Sequence, residues 1–219
     1  MNVETIAKDP DATAAPEREL PIRDRVQTQG RIFQAGRALL AEGGFQAFGV
    51  NAVARRAGCD KQLIYRYFGG LDGLVDAIGE DLAGWVTKHV PEDQGGRFML
   101  TYGDLMERLV ELYADALRAD PLMRRILVWE LSESSPHIAR MAEARAKGIA
   151  QWIERMRGSL TPPKGSDPVA LNAVVIAAVQ QLVLAAETSG SFAGLPLKSQ
   201  KDWARAIAAV SRVARGAYA

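Results

Sequence analysis

The stretch FGVNAVARRAGCDKQLIYRYF, residues 48–68, constrains this chain more than any other. Val50, Val53, Ala54 and Ala57 fall at i, i+3, i+4 and i+7, the spacing of an apolar stripe on a helix. Gly58 interrupts that stripe, as glycine does where a helix ends in a left-handed turn. Asp60 is placed to cap a second helix running through Ile64 to about Phe68. Two short helices joined by a tight glycine turn make a helix-turn-helix, whose second helix is shaped to enter a DNA major groove.

On that second helix Ile64 and Phe68 are i, i+4 and can face a core. Gln62, Tyr65 and Arg66 share a different face, with Lys61 at its N-terminal end. Arginine and lysine neutralise phosphate or read guanine, glutamine can read adenine, and tyrosine donates to phosphate. Any one of these side chains is unremarkable on a solvated helix; the set, at this spacing, points to nucleic acid. Arg23, Arg25 and Arg31 on the preceding helix are candidates for phosphate contacts, with ordinary solvated surface as the alternative. Residues 22–68 carry eight basic side chains against three acidic ones, a net of +5, which leaves −4 for the remainder of a chain whose net charge is +1. A basic unit on a mildly acidic body is the charge layout of a DNA reader with a second domain.

The run Val53-Ala54-Arg55-Arg56-Ala57-Gly58, then Lys61, then Ile64-Tyr65-Arg66-Tyr67-Phe68, resembles the DNA-binding motif of TetR-family transcriptional regulators. The resemblance covers roughly residues 23 to 75; beyond it the chain is similar to the family in length and all-helical pattern. It implies DNA contacts from Gly49, Lys61, Gln62, Leu63, Tyr65, Arg66 and Tyr67. Three positions depart from the family pattern. Leu63 stands where a threonine is common, Leu71 where a lysine is common, and Gly49 where a Ser or Thr caps the first motif helix. Leu63 suggests an apolar contact, such as a thymine methyl, and Leu71 leaves the backbone N–H groups of its helix start to meet phosphate alone.

The remaining chain reads as helices. Residues 1–20 are polar, acidic on balance and without apolar period, and are expected to form a disordered arm. A first helix is expected from about Arg23 to Glu42, ended by Gly43-Gly44. The run Gly69-Gly70-Leu71-Asp72-Gly73 follows a helix, not a strand, and so is no phosphate loop. A single helix is expected from Leu71 to near Pro91, followed by a loop over residues 91–97. Asp120-Pro121, Ser135-Pro136 and Asp167-Pro168 repeat one device, a capping side chain followed by proline at the first helical position. Ser199 and Asp202 match a capping box. The segment between the last two helices, SGSFAGLPLKS, is expected to be a flexible loop that can lean on a partner.

Residues 168–186 carry no charge. Asn172, Gln180 and Gln181 interrupt the run, which argues against a membrane span and for a helix buried on several sides. Burial against a second copy is the economical solution. The final two helices are therefore expected to form a four-helix homodimer interface through Val175, Val179, Leu182, Val183, Trp203, Ile207 and Val210, the alternative being plain body core.

Enzyme chemistry has no constellation here. His89 and His137 are the only histidines and neither has ligands at metal-site spacing, so no metal or cofactor is expected. Cys59 excludes an intramolecular disulfide and fits a reducing cytoplasm, with packing as its expected role. Trp85, Tyr102, Met106, Tyr113, Trp129 and Trp152 are candidates to line a pocket for a largely apolar small molecule, though such residues are more often core. The resemblance implies ligand-triggered release of DNA. The reading is thus an all-α chain: an arm (1–20), a three-helix DNA-binding domain (21–70) and a helical effector-binding and dimerisation body (71–219). It is expected to be a cytoplasmic regulator, a repressor in sign, that binds palindromic double-stranded DNA as a homodimer. The alternative is a helical ligand-binding or protein-interaction module with a weak DNA-binding head.

Overall fold

The computed structural model describes residues 22–90 and 99–218, apart from the side chains of Ile22 and Arg23. The expectations for the arm at 1–20 and the loop at 91–97 lie outside the described residues. Among the described residues ten helices and one short hairpin follow in order: α1 (Ile22–Gly43), α2 (Val50–Ala57), α3 (Lys61–Phe68), α4 (Leu71–Ala83), α5 (Trp85–His89), α6 (Tyr102–Ala119), α7 (Pro121–Ser132), α8 (Pro136–Arg157), α9 (Pro168–Thr188), β1 (Ser191–Phe192), β2 (Leu195–Pro196) and α10 (Gln200–Gly216).

The local signals act as their chemistry predicts. The side chains of Asp120, Ser135 and Asp167 accept from the N–H groups of Met123, Ile138 and Ala170 at 3.0, 3.2 and 3.1 Å. Ser199 and Asp202 close a reciprocal capping box, and Thr101 with Asp104 closes another at the start of α6. Two expectations are corrected. The helix after Leu71 breaks at Gly84 into α4 and α5, because glycine gives that point no side chain to hold a straight path. The loop before α10 is an antiparallel hairpin in which Ser191 faces Pro196 and Phe192 faces Leu195. Its two turn residues, Ala193 and Gly194, both have positive φ (48° and 82°), the geometry that matches strand twist.

One continuous apolar cluster runs from the head into the body, from Ile32, Val53 and Ile64 through Leu74 and Ile78 to Leu105, Leu117, Trp152 and Val179. Among the described residues α9 is the one helix long and apolar enough, by length and composition, to cross a membrane. Its Val175, Val179, Leu182 and Val183 are instead buried within the chain.

Helix α4 connects the two units, and α8 lies along it. The approach is close: a Cβ on Gly148 of α8 would sit 2.0 Å from the Ala83 carbonyl oxygen of α4. At its other end the seam is polar. His137 Nε2 and an Arg140 guanidinium nitrogen reach the same Asp72 oxygen, at 2.6 and 3.0 Å, and the His137 ring stacks on Phe45 of the head. The Asp72 carboxyl is held below its ordinary range, by the His137 contact first and Arg140 second. This latch therefore holds above the usual carboxylate range and is lost as pH falls through the lowered value. Gly148→Ala must push α4 and α8 apart and should lower the unfolding free energy by about 1–3 kcal/mol in chemical denaturation. An unchanged midpoint would show that the seam is slack.

Candidate nucleic-acid interface and body groove

The turn between α2 and α3 is built from glycine and a capping aspartate. Gly58 adopts the left-handed conformation (φ 62°, ψ 44°), and the next N–H, of Cys59, reaches the Ala54 carbonyl at 3.1 Å. The Gln62 N–H donates to Asp60 Oδ1 at 2.7 Å, closing the first turn of α3. Val53, Ala54, Ala57 and Ile64 face inward and are buried. Lys61, Gln62, Tyr65 and Arg66 are exposed, Tyr65 with 56% of its surface free.

The other candidate DNA contacts divide. Arg25 and Arg31 are exposed; Arg31 shares a depression with Leu63, Gln27, Thr28 and Cys59 beside the start of α3. Arg23 heads α1, and its side chain lies outside the described residues. Leu63 is half-buried on the flank of α3, with part of its surface against the core. Tyr67 is corrected: its hydroxyl is shielded inside the chain with no hydrogen-bond partner, because position 67 lies one turn from Ile64 on the inward flank. Gly49 caps α2 with an extended backbone and no side-chain hydrogen bond. Two of the basic residues in the head's charge balance are used internally: Arg56 grips Glu42 with both terminal nitrogens at 2.6 and 2.7 Å, and Arg37 pairs with Asp81 at 3.2 Å.

In the body, α8 and α9 part to leave a groove of about 440 Å³, within the range of small-molecule sites. Its walls are apolar (Ile149, Ile153, Ile176, Ala146, Ala173, Ala177), and Arg145, Asn172 and Gln180 are set into them. Ile149, Ile153 and Ile176 also wall an inner slot of about 20 Å³, lined beyond them by Met106, Tyr113, Trp152 and Val179. Tyr102 lines the outer groove. Four of the six predicted lining residues thus gather around this space.

Trp85 and Trp129 do not. Trp85 is core, donating its indole N–H to Asp120 at 2.6 Å and meeting Tyr113 edge-on. Trp129 belongs to a separate depression of about 270 Å³ between α1, α7 and α9. Arg145, Asn172 and Gln180 lie outside the aromatic and methionine set that the sequence marks as pocket lining. Their signal was present: Asn172 and Gln180 are two turns apart on one face of an otherwise apolar helix.

Polar groups around the groove are ordered. Gln180 Nε2 donates to the Tyr113 hydroxyl at 2.8 Å, and the Tyr218 hydroxyl donates to Asn172 Oδ1 at 2.7 Å. Burial pushes the Tyr113 and Tyr102 phenols up, and the Tyr218 phenol up to about 12, so all three stay protonated at neutral pH. Arg145 is held by Glu130 in an ion pair that leaves little of either side chain exposed. Among the described residues no group of His, Cys, Asp and Glu is placed to hold a metal ion.

The expected partner-facing residues are corrected as well. Val175, Val179, Leu182, Val183, Trp203 and Ile207 are buried within a single chain, and Val210 is half-buried against the same core. An apolar helix offers no sequence cue to which side its own body takes. The face left open on α9 is Val174, Ala177 and Gln181, with Val213 open on α10.

Residues 32–78 match the family described as bacterial regulatory proteins, tetR family. Over that segment the chain is similar to the TetR family. It is 30% identical over 132 residues to an HTH-type transcriptional repressor, SCO4008, of Streptomyces coelicolor, covering 58% of this chain and 64% of that protein. It is 28% identical over 120 residues to the HTH-type transcriptional regulator AlkX of Mycobacterium tuberculosis, covering 54% and 56%. The matches therefore span less than two thirds of these relatives' length. In fold, the chain is similar to the fatty acid degradation regulator FadR of Bacillus halodurans (TM-score 0.60, 18% identity, 86% of this chain and 95% of that one). It is also similar to FadR of Bacillus subtilis in complex with stearoyl-CoA (TM-score 0.61, 15% identity, 86% and 98%).

The start of α2 has room for the missing cap: a Cβ on Gly49 meets nothing within 4 Å. Gly49→Ser should raise the thermal midpoint by about 1 °C through a new N-cap hydrogen bond. A lower midpoint would mean that the extended backbone there does not suit a capping serine.

Proposed function

We propose that this protein is a ligand-responsive transcriptional repressor that binds a palindromic operator as a homodimer. The observation that carries the reading is the exposed set Lys61, Gln62, Tyr65 and Arg66 on a helix whose opposite side is anchored by Ile64. Lys61, Tyr65 and the arginines of α1 set affinity through phosphate; Gln62, Leu63 and Arg66 set base preference. Two α3 helices related by a two-fold axis read half-sites about 34 Å apart or a multiple of that. The division of labour is a DNA-binding domain over 21–70 and an effector and dimerisation body over 71–219. The protein acts by binding, without turnover, alongside the DNA in the cytoplasm.

The uncharged face of α9, with Val174 65% exposed, supports pairing with a second copy, as does Val213 of α10 at 65%. Phe192 is a further exposed apolar side chain, at the hairpin between α9 and α10. The groove between α8 and α9 is the effector site. Because α8 also packs on α4, filling the groove biases the placement of the DNA heads, and effector and operator weaken each other's binding reciprocally.

A second reading, a ligand-binding or interaction module with a weak DNA head, draws on the uncapped Gly49 and on Leu71 in place of a lysine. Titration against the upstream DNA at several salt concentrations separates the two. A specific footprint with a steep salt dependence supports the repressor, and a weak, sequence-blind interaction supports the module. Gln62→Ala should relax base preference. Lys61→Ala should weaken all sequences alike and reduce the salt slope by about one. Identical effects of both changes on every sequence would overturn this division of roles.

A further inference from the structure

We infer that the groove between α8 and α9 takes an elongated apolar molecule bearing an uncharged hydrogen-bond acceptor, a ketone or ester carbonyl, and discriminates against the matching carboxylate. The inference rests on the effector reading above and deepens it.

Arg145, Asn172 and Gln180 bring N–H donors to the groove's lining, and Tyr113 lines the slot behind it. The Tyr113 hydroxyl accepts from Gln180 and so keeps its own proton to give. The Arg145 guanidinium lies beside that hydroxyl. Gln180 retains a second N–H. Deeper in, Trp152 lines the slot and is 2% exposed, yet its indole N–H meets no acceptor. A buried donor without a partner costs free energy, which an acceptor oxygen recovers only where it reaches that N–H. The slot's volume, about 20 Å³, suits one water or the end of a ligand that displaces it.

Charge decides which acceptor. Arg145 is already neutralised by Glu130, whose side chain is 8% exposed, so the arginine offers N–H groups but no spare positive charge. At the rim Glu154 is matched by Arg157. The groove is therefore electrically balanced as it stands. A carboxylate would bring one uncompensated negative charge beside Glu130, in a place where desolvation is not repaid. A carbonyl takes the same hydrogen bonds without it. The rest of the lining, Ile149, Ile153, Ile176 and the alanines of both helices, requires an apolar chain.

Matched probes test this. Full-length protein without DNA is titrated calorimetrically with 2-undecanone and with decanoate, then with the variants Gln180→Leu and Ala146→Trp. Ala146 is exposed on α8 and lines the groove, so the tryptophan fills the site without disturbing the core. The expected result is saturable binding of the ketone, about tenfold or more tighter than decanoate. Gln180→Leu should narrow that preference, and Ala146→Trp should abolish binding with an unchanged thermal midpoint. Equal or tighter binding of decanoate, no saturable binding of either probe, or undiminished binding to Ala146→Trp overturns the inference. Operator release is read separately, by fluorescence anisotropy. Ketone binding that leaves the operator bound supports the site and its selectivity while removing the ligand-responsive part of the proposed function.

Discussion

Ile64 fixes the roll of α3 about its own axis, and the rest of the molecule's chemistry depends on that. The side chain is fully buried in the cluster that includes Ile32, Val53 and Leu74. Burial of an isoleucine contributes about 1.5–3 kcal/mol. Rolling the helix by half a turn would forfeit that and place Gln62 and Arg66 inside, where unpaired polar and charged groups cost more still. The two effects have the same sign. They hold the amide, the phenol and the guanidinium on the outside of an eight-residue helix that has little stability of its own.

The same logic of forced proximity joins head to body. Helix α8 presents Gly148 to α4 and lines the groove with Arg145, Ile149 and Ile153. A helix that cannot move away from α4 without opening that contact is a stiff connection. The Asp72–His137–Arg140 cluster and the Phe45–His137 stack tie its N-terminal end to the head. Under the proposed function, a ligand wedged between α8 and α9 would act on this shared wall, and only a difference in its affinity for two positions of that wall could shift the heads.

Features encoded over a few residues were legible in the sequence. The glycine turn at 58, the Asp60 cap, the three cap-proline starts and the Ser199 capping box each depend on neighbours in the chain, and each formed where expected. What required tertiary information was not legible. Position 67 looked like its exposed neighbours, yet its hydroxyl is enclosed. Val175 and Val179 are apolar on a helix apolar nearly all round, so periodicity could not tell the chain's own core from a partner's. The hairpin was hidden because its strands are two residues long and Ala193 fills a turn position where Asn or Gly is the usual signal. The groove's polar residues come from α8 and α9, and only packing brings Arg145 and Gln180 together.

Hydroxyl-radical footprinting on an operator selected by the protein itself tests the central claim most directly. Two protected patches are expected on one face of the duplex, related by a dyad and separated by about one helical turn or a whole multiple of it. Both should vanish together when Tyr65 and Arg66 are replaced by alanine in a protein that keeps its thermal midpoint. Protection that survives those replacements, or a single patch without a symmetry mate, would contradict it.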